Sequence, residues 1–321
     1  MTATLRSLAT DIGFQIGGAL NISCLDIPEY EAIAAHHFNL LVSMGDFKIH
    51  NVRPTPNDWN FDKTDRLMAF AKAHNQAVRG HTLCWHLACS DWMKTLDGPE
   101  LERVLREFIM EMVGRYRGKV GTWDVINEAI NDHGRPRPSI WKKIDNFIPK
   151  CFQWAHEANP DAELLYLDYR VHTVGRWKAI AKMVRELKSA GIPIHGVGMQ
   201  LHHDVMRSLA ISTLRLEGAI RDLRALGMNV HLCEITVGLN PNAQVLPRAM
   251  GYQLHARAYR QIAQAALAGG ATSMTIWNPY DKHIKHVLRE AVPGLFDEAY
   301  QPKPAYQALM DVLSQRSALV A

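Results

Sequence analysis

Eight short apolar runs recur along the chain at fairly even spacing, and no other feature of the sequence restricts its fold as tightly. They are "FQIGGAL" (14–20), "FNLLVSM" (38–44), "AVRGHTLCW" (77–85), "TWDVIN" (122–127), "ELLYLDY" (163–169), "HGVGMQL" (195–201), "NVHLCEITV" (229–237) and "SMTIWN" (273–278). Each has the length and composition of a mostly buried strand. Helical patterns lie between them. The clearest, "ELERVLREFIMEMVGRYRG" (100–118), puts Leu101, Val104, Leu105, Phe108, Ile109, Met112, Val113 and Tyr116 on one face and stops at Gly118. Similar stripes run through Ile180, Met183, Val184 and Leu187 to Gly191, and through Tyr252, Ala256, Tyr259, Ile262, Ala263 and Ala266 to Gly269. Strands alternating with helices eight times close most naturally into a (β/α)8 barrel. A doubly wound sheet shares the alternation, but neither a GxGxxG nor a GxxxxGK[ST] follows any run. No linker, low-complexity stretch or further repeat interrupts the pattern, so one domain over residues 1–321 is expected.

Charge and cysteine content exclude several function classes. With 36 basic against 32 acidic residues the net charge is +4, and no Lys/Arg run or basic stretch interleaved with aromatics occurs, which argues against a nucleic-acid partner. No apolar segment approaches the ~18 residues of a membrane span. The first twenty residues lack the basic start, apolar core and small-residue cleavage site of a secretory signal, so a cytoplasmic location is expected. Five cysteines (Cys24, Cys84, Cys89, Cys151, Cys233) stand at irregular spacings without a CxxC pair, which speaks for packing over zinc or redox chemistry. Sixteen histidines raise the question of a metal. His81, His86, His202 and His203 gather near strand ends, but none has the close helical pairing of an HExxH site, and neither a metal nor another cofactor is expected.

In a barrel, chemistry sits at the carboxyl ends of the strands. The third run ends in His81, Trp85 and His86, the fourth in Asn127 and Glu128, the fifth in Asp168, and the sixth in Gln200, His202 and His203. The seventh carries Glu234 and the eighth Trp277. Taken alone, Glu128 reads equally well as a helix-start residue and Glu234 as the partner of an arginine. Together, on strands facing each other across a barrel mouth, they suit glycoside cleavage. One protonates the leaving oxygen while the other attacks the anomeric carbon, at a carboxyl separation of about 5–5.5 Å for retention. Indole faces at Trp85 and Trp277 suit the apolar faces of pyranose rings.

These residues carry a family resemblance. The stretches "GHTLCWH" (80–86), "WDVINEA" (123–129), "LDY" (167–169), "VGMQLH" (197–202), "VHLCEITV" (230–237), "IWNPYDK" (276–282) and "KPAY" (303–306) occur in the order found in glycoside hydrolase family 10, the retaining endo-β-1,4-xylanases and their relatives. The chain resembles that family over nearly its full length. The resemblance implies Glu128 as acid/base and Glu234 as nucleophile. It implies Asn127 as the holder of the sugar 2-hydroxyl and His202 as the imidazole on the nucleophile. It further implies Lys48, His81, Trp85, Gln200 and Trp277 as the lining of the sugar site next to the cleaved bond. Asp168 and Tyr169 are expected to be structural, and the implied partner is a carbohydrate or glycoside.

Departures from the family pattern concentrate on the glycone side. Met44 and Gly45 stand where a Glu-Asn pair usually grips a second sugar, and Ala88 replaces a glutamine. Lys285 replaces a second tryptophan, and Thr236 replaces an aspartate that partners the histidine. His283 and His286 with Lys282 and Lys285 form a basic cluster where the family has aromatic surface, and "PNAQVLPRAMGY" (241–252) reads as a loop into a helix. The basic segment 131–143 is an alternative source of substrate contacts. The expected activity is therefore on xylosides, short xylo-oligosaccharides or another β-glycoside. The alternatives are a barrel turned to non-hydrolytic acid/base chemistry and a catalytically silent sugar-binding module.

Overall fold

The computed structural model describes residues 3–239, 247–282 and 291–319. Eight parallel strands close on themselves in sequence order: β1 Gln15–Leu20, β2 Leu40–Ser43, β3 Ala77–Trp85, β4 Thr122–Asn127, β5 Glu163–Tyr169, β6 Gly196–Asp204, β7 Asn229–Gly238 and β8 Ser273–Ile276. β1 pairs with both β2 and β8, which completes a (β/α)8 barrel. All eight apolar runs are strands. β8 is shorter than its run because the chain turns off after Ile276, although the Trp277 amide still reaches the Ile235 carbonyl at 3.0 Å. Among the described residues no helix is long and apolar enough to cross a membrane.

The helix Gly98–Arg115 illustrates how the outer layer is specified. Asp97 caps it by accepting from the Glu100 amide at 2.9 Å, and Pro99 sits in the first turn, where its missing N–H costs nothing. Its stripe from Leu101 to Val113 is buried in the core, each large side chain contributing roughly 1.5–3 kcal/mol. The helix Arg248–Gly269 runs through Gly269 and ends at Gly270, whose φ of 79° is the left-handed conformation that closes helices. Inside the barrel Leu165, Leu167 and Cys233 form their own small cluster. Gly198 makes that cluster possible, since a Cβ there would lie 2.5 Å from Leu167 Cγ.

The two rims of the barrel are built differently. At the amino-terminal rim Glu163 gathers three strands, accepting from Thr122 Oγ1 at 3.0 Å and Asn229 Nδ2 at 2.7 Å and lying 3.2 Å from His231 Nε2. The carboxyl-terminal rim is irregular. Strand register shifts occur between His81 and Cys84, Asp124 and Ile126, Gln200 and His202, and Leu232 and Ile235. Such irregularities re-aim side chains that strict alternation would send into the helical layer.

Candidate active site

Both glutamates singled out by the sequence sit in left-handed backbone, Glu128 at φ 56° and Glu234 at φ 50°. Non-glycine residues rarely adopt this conformation, at a cost of about 1–3 kcal/mol, and they do so where the surroundings hold them. For Glu128 the surroundings are identifiable. Its amide donates to the Leu167 carbonyl at 2.9 Å, and its own carbonyl accepts from Arg137 Nε at 2.9 Å. The Arg137 fork also reaches the Ile130 carbonyl and, at 2.8 Å, the Tyr169 hydroxyl. Glu128 thus stands at the strand end with its backbone pinned from two sides.

Glu234 is buried and fully partnered. Gln200 Nε2 donates to its Oε1 at 2.9 Å and to Asn127 Oδ1 at 2.8 Å, so one amide joins the ends of β4, β6 and β7. His202 Nε2 lies 3.1 Å from Glu234 Oε2, while its Nδ1 lies 3.2 Å from Thr236 Oγ1. His81 Nε2 stands 3.7 Å from Oε1. Burial pushes the Glu234 carboxyl up. The hydrogen bond from His202 and the positive fields of His81, His202 and Lys48 more than offset that and hold it below the ordinary carboxylate value.

The remaining residues implied by the resemblance gather on the same side of the mouth. The Lys48 ammonium lies over the Trp85 ring at 4.6 Å and at 6.0 Å from the Trp277 ring, and the His81 imidazole meets Trp277 edge-on at 5.3 Å. Lys48 also donates to the Met44 carbonyl at 2.9 Å. Ala88 is buried and brings no polar group to the sugar side. A side chain at Gly45 would have room, since the nearest atom to a Cβ there is Asn51 Nδ2 at 3.6 Å. Lys285, His283 and His286, together with 241–246 of the loop after β7, lie outside the described residues.

Several residues of the site carry no sequence label. Asp124 and Arg79, opposite charges within apolar runs, meet in the barrel at 3.1 Å, and Asp124 Oδ2 lies 2.9 Å from His81 Nδ1. This contact orients the ring and turns Nε2 toward Glu234. The signal was available: two inward charges on neighbouring strands need each other. Trp141, from the basic segment 131–143, donates to the Trp85 carbonyl at 2.9 Å, so that segment braces the rim as well as flanking it. Asp168 is structural, bound to the Arg176 guanidinium, the Tyr166 hydroxyl and the Tyr169 amide. Tyr169, expected to be structural, accepts from Arg137 through its hydroxyl and also lines a large cleft.

That cleft, about 800 Å³, opens beside Glu128, Gln200 and His202 and runs between the ends of β5 and β6. Lys48, His81, Trp85 and Trp277 are not among its lining residues. The rim therefore carries an aromatic and cationic cluster around Lys48, Trp85 and Trp277 and, apart from it, an open trough. Among the described residues no group of three or more His, Cys, Asp or Glu side chains could hold a metal ion.

Comparison with known proteins agrees with this arrangement. The model of glycosyl hydrolase family 10 matches residues 4–312. The chain is 34% identical over 312 residues to a beta-1,4-xylanase of Dictyoglomus thermophilum, covering 91% of this chain and 86% of that protein. It is 33% identical over 318 residues to exoglucanase XynX of Acetivibrio thermocellus, where the match covers 93% of this chain and only 28% of that protein's length. Among solved structures, xylanase 10B from Thermotoga petrophila RKU-1 in complex with xylobiose superimposes with a TM-score of 0.91 at 29% identity, over 99% of both chains.

Proposed function

The chain belongs to glycosyl hydrolase family 10, and from that premise we propose that it is a retaining β-glycosidase of the xylanase type, with residues 4–312 as one catalytic domain. Glu128 is the acid/base and Glu234 the nucleophile. In the first step a Glu234 oxygen bonds to the anomeric carbon, the glycosidic bond breaks, and the leaving oxygen takes the Glu128 proton. In the second step water gives a proton back to Glu128, attacks the same carbon and releases Glu234. Asn127, tied to the nucleophile through Gln200, holds the sugar 2-hydroxyl as positive charge develops on the ring.

The observation that carries this reading is the state of Glu234. A buried carboxyl would ordinarily become neutral, whereas this one lies below the ordinary value with both oxygens occupied by named partners. An anionic nucleophile needs that environment. The glycone side supports short substrates. A second sugar would meet Met44, Gly45 and Ala88 in place of hydrogen-bonding side chains, each lost bond costing about 0.5–1.5 kcal/mol. Xylosides and short xylo-oligosaccharides fit that better than long xylan.

A panel of aryl β-glycosides and xylo-oligosaccharides tests the assignment. Glu234→Gln is expected to abolish turnover of every substrate. Glu128→Gln is expected to lose about 10²–10⁴-fold on oligosaccharides, whose leaving oxygen needs a proton, and much less on nitrophenyl glycosides. Activity indifferent to both changes overturns the proposal. No turnover of any glycoside, with both glutamates still required for another product, favours non-hydrolytic acid/base chemistry.

A further inference from the structure

The trough beside Glu128 is unusually cationic. Arg170 follows β5, Arg207 lies on the short helix Val205–Ala210 and Arg215 on the helix Thr213–Ala225, and all three line it. Glu128 is the one carboxylate among the described lining residues. Two carboxylates outside that lining pair with its cations. Asp132 is 4.0 Å from Arg170 Nη1 but closer, at 3.2 Å, to the buried Arg176, and Asp204 is 3.4 Å from Arg207 Nε. Arg215 has no ion-pair partner among the described residues. Its Nε donates to the His172 carbonyl at 3.2 Å, which leaves the terminal nitrogens of the fork for another partner.

Two imidazoles report the same field. His172 and His203 meet edge-on at 5.4 Å in the trough wall. Burial, followed by the positive fields of their neighbours, holds both near 4. Those neighbours include Arg170 and Arg215 for His172, and Arg170 and Arg207 for His203. His172 Nδ1 is also buried without a partner. Cations gathered from three separate elements repel one another, and an anion between them relieves that repulsion.

We propose that this trough is a subsite for a carboxylate carried on the leaving-group side of the substrate, with Arg215 as its bidentate partner. The inference rests on Glu128 being the acid. The leaving oxygen must then reach Glu128, and whatever is attached to that oxygen extends into the trough and away from Lys48 and Trp85. A guanidinium fork matches a carboxylate in two parallel hydrogen bonds, and Arg170 and Arg207 add field without needing contact. An acidic sugar branch and an aromatic acid aglycone present the same group.

Two pairs of substrates, each differing only in that charge, test it. One is a xylo-oligosaccharide with a glucuronic acid branch on its leaving-group side against its methyl ester. The other is 4-carboxyphenyl against 4-carbamoylphenyl β-xyloside. The acid of at least one pair is expected to have about fivefold higher kcat/KM. That advantage should fade toward unity in roughly 1 M salt and in Arg215→Gln, with partial recovery in Arg215→Lys. Whichever pair shows the preference identifies the source of the carboxylate. A ratio near one in both pairs, or one unchanged by Arg215→Gln, overturns the proposal. Calorimetric titration of the same ligands into Glu234→Gln separates the two claims. Tighter binding of the acid without turnover by the native enzyme sinks the hydrolase assignment and leaves the subsite standing. Equal affinities for acid and neutral partner sink the subsite alone.

Discussion

Replacing His202 with glutamine isolates the charge on the nucleophile's partner from the hydrogen bond it makes. The His202 side chain is 40% exposed, so the substitution opens no cavity, and a glutamine amide can still reach toward Glu234 Oε2, now 3.1 Å from the ring Nε2. Glutamine keeps a hydrogen bond to the carboxylate but removes the ring's positive charge, and a unit charge about 3 Å away contributes about 1.3 kcal/mol even at the dielectric of water. That corresponds to about one pKa unit. Its sign follows from the buried carboxyl. Glu234 lies below its ordinary value because its partners outweigh burial, so weakening the His202 contribution moves it up. The nucleophile acts ionised, and the acidic limb of kcat/KM should therefore move to higher pH by about one unit, with the plateau above it largely kept. The assay is a pH profile of kcat/KM on an aryl β-xyloside, with near-ultraviolet circular dichroism to check the fold. An unmoved acidic limb would refute the electrostatic role. A plateau that collapses without a shift would reduce His202 to a positioning residue.

Thr236→Asp puts a carboxylate where a neutral hydroxyl now faces His202 Nδ1 at 3.2 Å; the active pH window should broaden, and an unchanged profile would deny Thr236 an electrostatic part. The double change Met44→Glu, Gly45→Asn restores two hydrogen-bonding side chains where space exists, and KM for an aryl β-xylobioside should fall about tenfold while that for the xyloside stays put. At the opposite rim, Glu163→Gln should cost stability and spare kcat. Burial pushes the Glu163 carboxyl up, but His231, Asn229 and Thr122 bring it down to about 2. A depressed carboxylate stabilises the fold fully above its unfolded value of about 4.3 and loses that contribution as pH falls toward the folded one, so the penalty of about 3 kcal/mol near neutrality should shrink through that interval. Urea midpoints giving the same penalty throughout would contradict the linkage.

The barrel was legible because its strands are buried on both faces and separated by amphipathic helices, a pattern written in period and length alone. Glu128, Glu234, Asn127, Gln200 and His202 were legible as polar residues at the ends of apolar runs; the structure joins the last four into one hydrogen-bond network, with Glu128 next to Asn127 at the end of β4. What stayed hidden depends on register and on distant segments. The left-handed backbone at both glutamates and the shifts on either side of them have no glycine or proline to announce them. Arg137 reads as one basic residue in a polar loop until it is seen to hold the Glu128 carbonyl. The cationic trough is assembled from Arg170, Arg207 and Arg215, each ordinary in its own helix or turn.

The central claim, that Glu234 forms a covalent bond to the sugar while Glu128 manages the proton, is tested most directly by trapping. A 2-deoxy-2-fluoro-β-xyloside with a good leaving group slows both steps, and the leaving group compensates only the first. Peptide mass spectrometry after inactivation should find one fluoroxylosyl group on the peptide that contains Glu234, and the retaining route requires its carboxyl to stand about 5–5.5 Å from that of Glu128. Turnover without any adduct, giving a first-formed product of inverted anomeric configuration by NMR, would contradict the account.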